Sequence, residues 1–373
     1  MSTTEELTIA APEEELVEDV NEPAEVLTYR YSITGYGADY PVDGLVKRLE
    51  AGDVVIPTFD PEVRVNDQVG GFQRQFVWTK PQCDKFIESL LLGFPVPGIF
   101  LVKQADGRFL VLDGQQRLRT LQAFYKGILR GKVFGLEGVQ PRYRGRTYTS
   151  LDDEDRRHLD DSIIHATIIR QDQPSEDQSS IYMIFERLNT GGTLLQPQEI
   201  RVALYQGRFV NLLRELNGFQ PWRHLYGKVS SSLKDQELIL RFLAMFYWSD
   251  KYAAPMKEFL NRFMGRNSDF QIYPETDMRE VFHRTTELIF SAVGARAFRL
   301  KSAVNAAVAD AVMVGVARRL NSGNVIDRAA MRASYEELLR NEDFLAVVAK
   351  STANEDNVKR RLTMATAAFA SVA

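Results

Sequence analysis

The sequence predicts an α/β (α+β) domain followed by an all-α domain. Short apolar runs of strand length alternate with helical patterns in the first part of the chain. From about Asn217 onward, the apolar residues recur almost only at helical spacing. The opening residues show neither period. We therefore expect a disordered acidic tail over residues 1–27, the α/β domain over 28–215 and the helical domain over 216–373.

Composition is that of a folded water-soluble protein. The chain has 373 residues, of which 45% are apolar and 26% are charged, and this length favours about two domains. It contains no apolar run long enough to span a bilayer and no secretory-signal pattern at its start. The single cysteine, Cys83, excludes an internal disulfide and a multi-cysteine metal site. We expect a cytoplasmic protein with no membrane partner.

Charge is unevenly distributed along the chain. Residues 1–25 hold nine acidic residues and no Lys or Arg, whereas the remainder holds 46 basic and 41 acidic residues. A solvated, disordered tail is the simpler interpretation of this segment, and an autoinhibitory mimic of a polyanion is the alternative. The slight positive excess of the remainder permits nucleic-acid binding but does not by itself predict it.

The first folded elements are a helix, a turn and a strand over residues 40–57, and then a second helix. Thr79 suits the N-cap of this second helix, and Pro81 suits its first turn, where a missing N–H costs nothing. Gly93 is its stop signal. Its apolar residues define one buried face at helical spacing: Cys83, Phe86, Ile87, Leu90 and Leu91.

A predicted β-hairpin leads into a third helix. Two apolar runs flank Asp106 and Gly107, and the second run ends at Asp113 and Gly114. The helix that follows ends at Gly127 and has the core face Leu118, Leu121, Phe124 and Tyr125.

The rest of the α/β domain is predicted as one strand and two helices. The strand is "SIIHATIIR", in which we expect His165 to be a core residue. The helices are "SSIYMIFERL" and a segment from Pro197 to Tyr205.

The start of the third helix has an unexpected charge. Helix N-termini carry partial positive charge and favour acidic side chains, yet Arg117 stands in this first turn with Arg119 close behind. A strand, a sharp turn and a helix start together form an anion site, where Arg117 could hold a phosphate. Gln115 and Gln116 could then orient oxygens or a water, and Asp113 could bind Mg²⁺ or orient the attacking water.

Structural explanations of the same residues remain open. Asp113 could be a routine N-cap, and Gly114 could serve the turn alone. The arginines could pair with acids elsewhere in the chain.

Two further segments could complete one site with the turn. Gln73 and Arg74 lie in "GFQRQFVW", where Arg74 could hold a phosphate or stack on a base, or pair with a buried carboxylate. Asn189 in "ERLNTGG" could face a ligand, although a helix C-cap also explains this segment. Glu199 could pair with Arg74 or Arg117.

One arginine-rich loop and several absences complete the site predictions. The loop interleaves arginines with tyrosines and could contact nucleic acid, although exposure alone explains it: Arg142, Tyr143, Arg144, Arg146 and Tyr148. The four histidines show neither metal-ligand spacing nor an HNH arrangement, and the chain contains no GxxxxGKS/T or GxGxxG motif.

Taken in order, "FQRQFVWTKPQCDKFIESLLLGFPVPGIFL", "FLVLDGQQRLRTLQAFYKG" and "IFERLNTGGTLLQPQEIRVALYQG" resemble the DGQQR-motif family. This domain family occurs at the N-terminus of GmrSD-type type IV restriction enzymes and related phage-defence proteins. The resemblance covers roughly residues 30–245 and implies a ParB/sulfiredoxin-like fold with a nucleotide site at the DGQQR segment. It assigns residues to three motif elements: Asp113, Gly114, Gln115, Gln116 and Arg117 to the signature, Gln73 and Arg74 to the upstream element, and Asn189 to the downstream element.

The leading functional prediction is a sensor component of a phage-defence or restriction system. It would bind a nucleoside triphosphate with Mg²⁺ through these residues and hydrolyse it slowly. One alternative is a DNA-binding module or ParB-like nuclease without nucleotide turnover, and another is a scaffold for a separate nuclease. The C-terminal HNH-type nuclease of the related restriction enzymes has no counterpart in this chain, so we do not expect autonomous DNA cleavage.

Overall fold

A computed structural model describes residues 32–57, 77–104, 106–173, 179–188, 195–323, 325 and 327–373. The described residues separate into two compact units. The N-terminal unit lies within residues 32–211 and 264–272, and the C-terminal unit lies within residues 212–263 and 273–373. The predicted acidic tail lies outside the described residues.

The strands of the described residues all lie in the N-terminal unit. They are β1 (Ser32–Pro41), β2 (Val54–Val55), β3 (Ile99–Lys103), β4 (Phe109–Asp113), β5 (Ile128–Leu129), β6 (Lys132–Val133) and β7 (Ile163–Gln173). Five of them form a mixed sheet in the order β1-β7-β3-β4-β2, and β5 pairs with β6. The pairs β1–β7 and β3–β4 are antiparallel, whereas β3–β7 and β2–β4 are parallel.

Helices surround this sheet and form the C-terminal part of the chain. They are α1 (Val42–Ala51), α2 (Lys80–Leu91), α3 (Gln115–Lys126), α4 (Asp153–Asp161), α5 (Ser179–Leu188), α6 (Pro197–Leu204), α7 (Arg208–Asn217), α8 (Gln220–Tyr226), α9 (Lys234–Trp248), α10 (Met256–Arg266), α11 (Glu275–Ala292), α12 (Ala306–Asn321), α13 (Arg328–Arg340), α14 (Glu342–Ala349) and α15 (Glu355–Ala370). None of these described helices combines the length and apolar composition that a bilayer span requires. The mixed α/β character and the helical C-terminal part are confirmed.

The core of the N-terminal unit lies between α1–α4 and one face of the sheet. Leu101 of β3, Val111 of β4 and Ile168 of β7 are buried in this core. Leu110 and Leu112 are also buried but alternate with Val111, so they lie on the other face. Helix α5 contacts β4 and β7, and its buried residues lie outside the α1–α4 core.

Helices α2 and α3 form as their sequence patterns predict. Gln82 accepts a hydrogen bond from the Thr79 N–H through Oε1 at 2.8 Å, which completes the N-cap of α2. All five residues of its predicted buried face are buried. Helix α3 ends at Gly127, whose φ of +71° suits a left-handed C-cap. The hairpin predicted around Gly107 is the β3–β4 pair.

Helix α12 is the central element of the C-terminal unit. It is buried along almost its whole length and contacts α9, α11 and α15. Its one acidic residue, Asp310, accepts hydrogen bonds from Arg241 of α9 at 2.8 Å and from Arg361 of α15 at 2.9 Å. The three charged side chains are buried together, so each needs the others.

Candidate functional site

The turn between β4 and α3 requires glycine. Gly114 has φ +96° and ψ 8°, a left-handed conformation that favours glycine. A Cβ at this position would lie 2.4 Å from Cγ2 of Ile99, the first residue of β3. The backbone therefore approaches the neighbouring strand too closely for any side chain.

Asp113 and Arg117 form an ion pair across this turn. Arg117 donates through Nη2 to Asp113 Oδ2 at 2.7 Å and to the Gly98 carbonyl at 2.8 Å. Arg117 is 14% exposed and Asp113 is 47% exposed, so the acid faces solvent more than the arginine does. Asp113 does not cap α3, because the N-cap position is occupied by Gly114, which has no side chain. In the observed conformation, the anion beside Arg117 is a carboxylate of the chain itself.

The backbone at the start of α3 offers further hydrogen-bond donors. The helical ladder begins with the bond from the Leu118 N–H to the Gly114 carbonyl at 3.0 Å. The three N–H groups of Gln115–Arg117 precede this bond and so have no partner within the helix. Together with the helix dipole, they make the turn locally positive.

The two glutamines of the turn have different surroundings. Gln116 accepts through Oε1 from the N–H groups of Val77 and Trp78, at 3.0 and 3.3 Å. It thereby joins the end of the "GFQRQFVW" segment to the start of α3. Gln115 is half-buried, and its side chain forms no hydrogen bond within the described residues.

Arg119 belongs to the interior rather than to the turn. Its side chain is buried, and Nη2 lies 3.4 Å from the Pro57 carbonyl. Burial lowers the pKa of Arg119 to about 10. The two arginines at the start of α3 therefore have separate environments, and only Arg117 reaches the turn.

The other predicted site residues are placed only in part. Gln73, Arg74 and Asn189 lie outside the described residues. Helix α5, which ends directly before Asn189, contacts β4. Glu199 accepts a hydrogen bond from the Gln196 N–H at 2.7 Å at the start of α6, whereas the acidic partner of Arg117 is Asp113.

The tyrosines of the arginine-rich loop do not form a stacking surface. Tyr143 is 1% exposed. Tyr148 stacks on Tyr125 with ring centroids 4.1 Å apart. Arg142 forms an ion pair with Asp155. Because both rings already pack inside the protein, base stacking by this loop is not supported.

His165 is exposed, and its predicted core position is wrong. Its side chain is 75% exposed and contacts Asp39 of β1 through Nδ1. Its neighbours Ile164 and Ala166 are buried, since successive side chains of a strand face opposite sides. The alternating pattern of this strand is present in the sequence, but the apolar residues on both sides of His165 favoured the prediction that it is a core residue. No group of three or more His, Cys, Asp or Glu side chains within the described residues could hold a metal ion.

Comparison with known families identifies the segment that contains this turn. Residues 61–206 match the family model described as "GmrSD restriction endonuclease, N-terminal domain". The match covers the three motif segments but is shorter than the expected range of 30–245. No curated protein matches the chain at a significant level. Residues 61–206 are therefore similar to the N-terminal domain of GmrSD restriction endonucleases.

Proposed function

We propose that the turn between β4 and α3 binds the phosphates of a nucleoside triphosphate with Mg²⁺, and that the domain hydrolyses this nucleotide slowly. The observation that carries the proposal is the meeting of three features at Gly114. These are the N–H groups that precede the helical ladder, the Arg117 guanidinium and the Asp113 carboxylate. Such a turn suits an anion that also binds a divalent cation.

Asp113 is the residue that would hold Mg²⁺. It is the most exposed charged group of the turn, and a single carboxylate is a common protein contribution to Mg²⁺–nucleotide sites. The absence of a larger ligand cluster among the described residues fits an ion held mainly by phosphate oxygens and water. When bound, Mg²⁺ neutralises phosphate charge.

Arg117 would exchange partners on nucleotide binding. Its guanidinium now contacts Asp113 and the Gly98 carbonyl. Once Asp113 binds a cation, its attraction for Arg117 weakens and the guanidinium can turn towards phosphate oxygens. Gln73, Arg74 and Asn189, which the family resemblance assigns to the same site, would complete the phosphate contacts.

The glutamines would have separate tasks in hydrolysis. Gln115, with no side-chain hydrogen bond among the described residues, would orient the attacking water. Gln116, whose side chain is bonded to the N–H groups of Val77 and Trp78, would help to orient the phosphate oxygens or this water. The water oxygen forms a bond to the γ-phosphorus, and the bond from this phosphorus to the bridging oxygen breaks, so the nucleoside diphosphate leaves with that oxygen. One water proton stays on the released hydrogen phosphate and the other passes to solvent.

We also propose that this protein is the sensor component of a restriction-type defence system. The GmrSD N-terminal domain match supports this role, with DNA or a partner nuclease as the downstream element. We also propose a ParB/sulfiredoxin-like fold for this domain, supported by the mixed sheet and by the β4–turn–α3 arrangement.

Calorimetry and phosphate release with ATP, GTP and CTP in the presence of Mg²⁺ test the nucleotide proposal. We expect Asp113→Asn and Arg117→Ala each to weaken binding about 10- to 100-fold, as for a lost hydrogen bond to a charged group. The matched controls are Asp106→Asn and Arg108→Ala, which break an exposed ion pair of 2.7 Å in the same hairpin. The proposal fails if no nucleotide binds at millimolar concentration, or if both pairs of variants behave alike.

A further inference from the structure

A cavity in the C-terminal unit lies where the ends of α9 and α12 meet the first half of α11. Its volume is about 290 Å³, close to the lower end of the range for small-molecule sites, about 300 Å³. Its lining comes from all three helices: Phe246, Tyr247, Asp277, Glu280, Val281, Arg284, Thr285, Leu320 and Asn321.

The cavity has an apolar floor and an acidic rim. Phe246 and Tyr247 are half-buried and expose part of their rings, whereas Asp277 and Glu280 are exposed. The residues of α11 recur at positions 277, 280, 281, 284 and 285, which places them on one face of the helix. An elongated ligand would therefore lie along this face.

Thr285 is a buried hydroxyl without a partner. It is 0% exposed, and its Oγ1 forms no hydrogen bond within the described residues. The next residue, Thr286, is equally buried but donates to the Phe282 carbonyl at 2.8 Å. Leaving a buried polar group without a hydrogen-bond partner destabilises the folded state. Thr285 is among the residues that line the cavity, so this unpaired hydroxyl belongs to a lining residue.

The rim carries an acid that no cation of the described residues neutralises. Arg284 lies 3.4 Å from Glu280 and donates to the Leu320 carbonyl at 3.4 Å. Asp277, in contrast, forms no ion pair within the described residues and accepts only from the hydroxyl of Thr276. Burial, together with the charge of Asp277, raises the pKa of Tyr247 to about 12, so this ring remains a neutral phenol beside the acid.

We propose that this cavity binds a small, elongated organic ammonium ion that carries a hydroxyl group at its far end. The ammonium pairs with Asp277, and the apolar body packs on Phe246, Tyr247 and Val281, which suits a cation beside aromatic rings. The hydroxyl bonds to Thr285, which lies eight residues further along α11, about 12 Å at 1.5 Å per residue. The chemical class is a hydroxylated aryl- or alkylamine.

Three probes separate the two polar contacts in titrations of the full chain by calorimetry or ligand-observed NMR. Tyramine carries both groups, phenethylamine lacks the hydroxyl, and 4-ethylphenol lacks the ammonium. We expect tyramine to bind most tightly and each partial probe about three- to fivefold more weakly, the size of one exposed ion pair or one neutral hydrogen bond.

Variants then assign each contact to its residue. Asp277→Asn should weaken tyramine to the affinity of 4-ethylphenol and leave 4-ethylphenol itself unchanged. Thr285→Val should weaken tyramine to the affinity of phenethylamine, and Thr285→Ser should restore it. Asp356→Asn is the matched control, since Asp356 also lies in the first turn of a helix, α15, and away from the cavity lining.

Unfolding in urea distinguishes a variant that has lost its contact with the ligand from a variant that no longer folds. Thr285→Val removes an unpaired buried hydroxyl, so its free energy of unfolding should equal or exceed that of the unchanged chain. Failure of tyramine to bind at millimolar concentration overturns the proposal. Equal affinity for tyramine and 4-ethylphenol does so as well, as does unchanged tyramine binding in a folded Asp277→Asn variant.

Discussion

Gly114 carries two constraints, and Gly107 of the same hairpin shares only one of them. Both Gly114 and Gly107 have positive φ, at +96° and +88°. A Cβ on Gly107 would meet no atom within 4 Å, whereas a Cβ on Gly114 would meet Ile99 at 2.4 Å. The first constraint is on backbone conformation and the second is on packing.

We expect Gly114→Ala to destabilise the protein more than Gly107→Ala does. In both variants the left-handed backbone strain lowers the free energy of unfolding by about 1–2 kcal/mol. In Gly114→Ala, overpacking against Ile99 lowers it by about a further 1–3 kcal/mol. Urea unfolding of both variants measures the difference. Equal losses would show that β3 moves aside at no cost, contrary to the close approach at Ile99.

The charged residues at the start of α3 show that a sequence pattern does not identify the partner of an individual side chain. The pattern correctly located a positive helix start beside a sharp turn, and it included pairing with an acid among its alternatives. It did not identify Asp113 as that acid, because the ion pair depends on how the Arg117 side chain bends towards the Gly98 carbonyl. The same limit applies to Arg119, whose burial depends on residues distant in sequence, such as Pro57.

At the scale of elements, the contact between α12 and α15 depends on a small residue. A Cβ on Gly315 of α12 would lie 2.8 Å from the Ala365 carbonyl oxygen of α15. That atom belongs to the backbone of a packed helix and cannot move independently of it. Close packing of the two helices therefore requires glycine here, although glycine weakens a helix interior by about 1 kcal/mol relative to alanine.

We expect Gly315→Ala to reduce the free energy of unfolding by up to about 2 kcal/mol, because an overpacking cost of about 1–3 kcal/mol exceeds the gain of about 1 kcal/mol in helix propensity. Gly44→Ala in α1 is the helical control. Its new Cβ would meet only the Pro41 ring, at 3.3 Å, and this ring can shift. Chemical denaturation should give an unchanged or slightly higher stability for the control. A stabilised Gly315→Ala variant would contradict the close α12–α15 contact.

At the scale of the whole molecule, one buried ion network connects three helices of the C-terminal unit. Burial alone would raise the pKa of Asp310, but the guanidinium groups of Arg241 and Arg361 outweigh it and hold the pKa below its ordinary value of 3.8. A carboxyl group whose pKa is lowered by folding stabilises the folded state above its unfolded pKa. This contribution is lost as the pH falls through the lower folded value.

We expect Asp310→Asn to cost about 3–5 kcal/mol at neutral pH, because two buried guanidinium groups lose their counterion. The free energy of unfolding of the unchanged chain should also fall more steeply than that of the variant as the pH drops below about 4. Urea titrations at several pH values measure both effects. Asp343→Asn, at an acid that is 80% exposed and 3.9 Å from Arg360, should change stability by less than about 0.5 kcal/mol.

The sequence by itself determined part of the elements of this protein and the position of the DGQQR segment. Hydrophobic periodicity, glycine stops and helix caps are local signals, so α2, α3, the β3–β4 hairpin and the helical C-terminal part were predictable from short windows. The DGQQR segment and the two other motif segments also indicated the family whose model matches residues 61–206, because the motifs and their order are properties of the sequence alone.

Only the tertiary structure decided which side chains meet. The Asp113–Arg117–Gly98 contact, the Gln116 bond to Val77 and Trp78, and the cavity beside Thr285 join atoms from different elements. Strand order and rotamers set these contacts, and neither has a local signature in the sequence. The physical reason is that periodicity encodes which face of an element is buried, whereas partners depend on how the buried faces pack together.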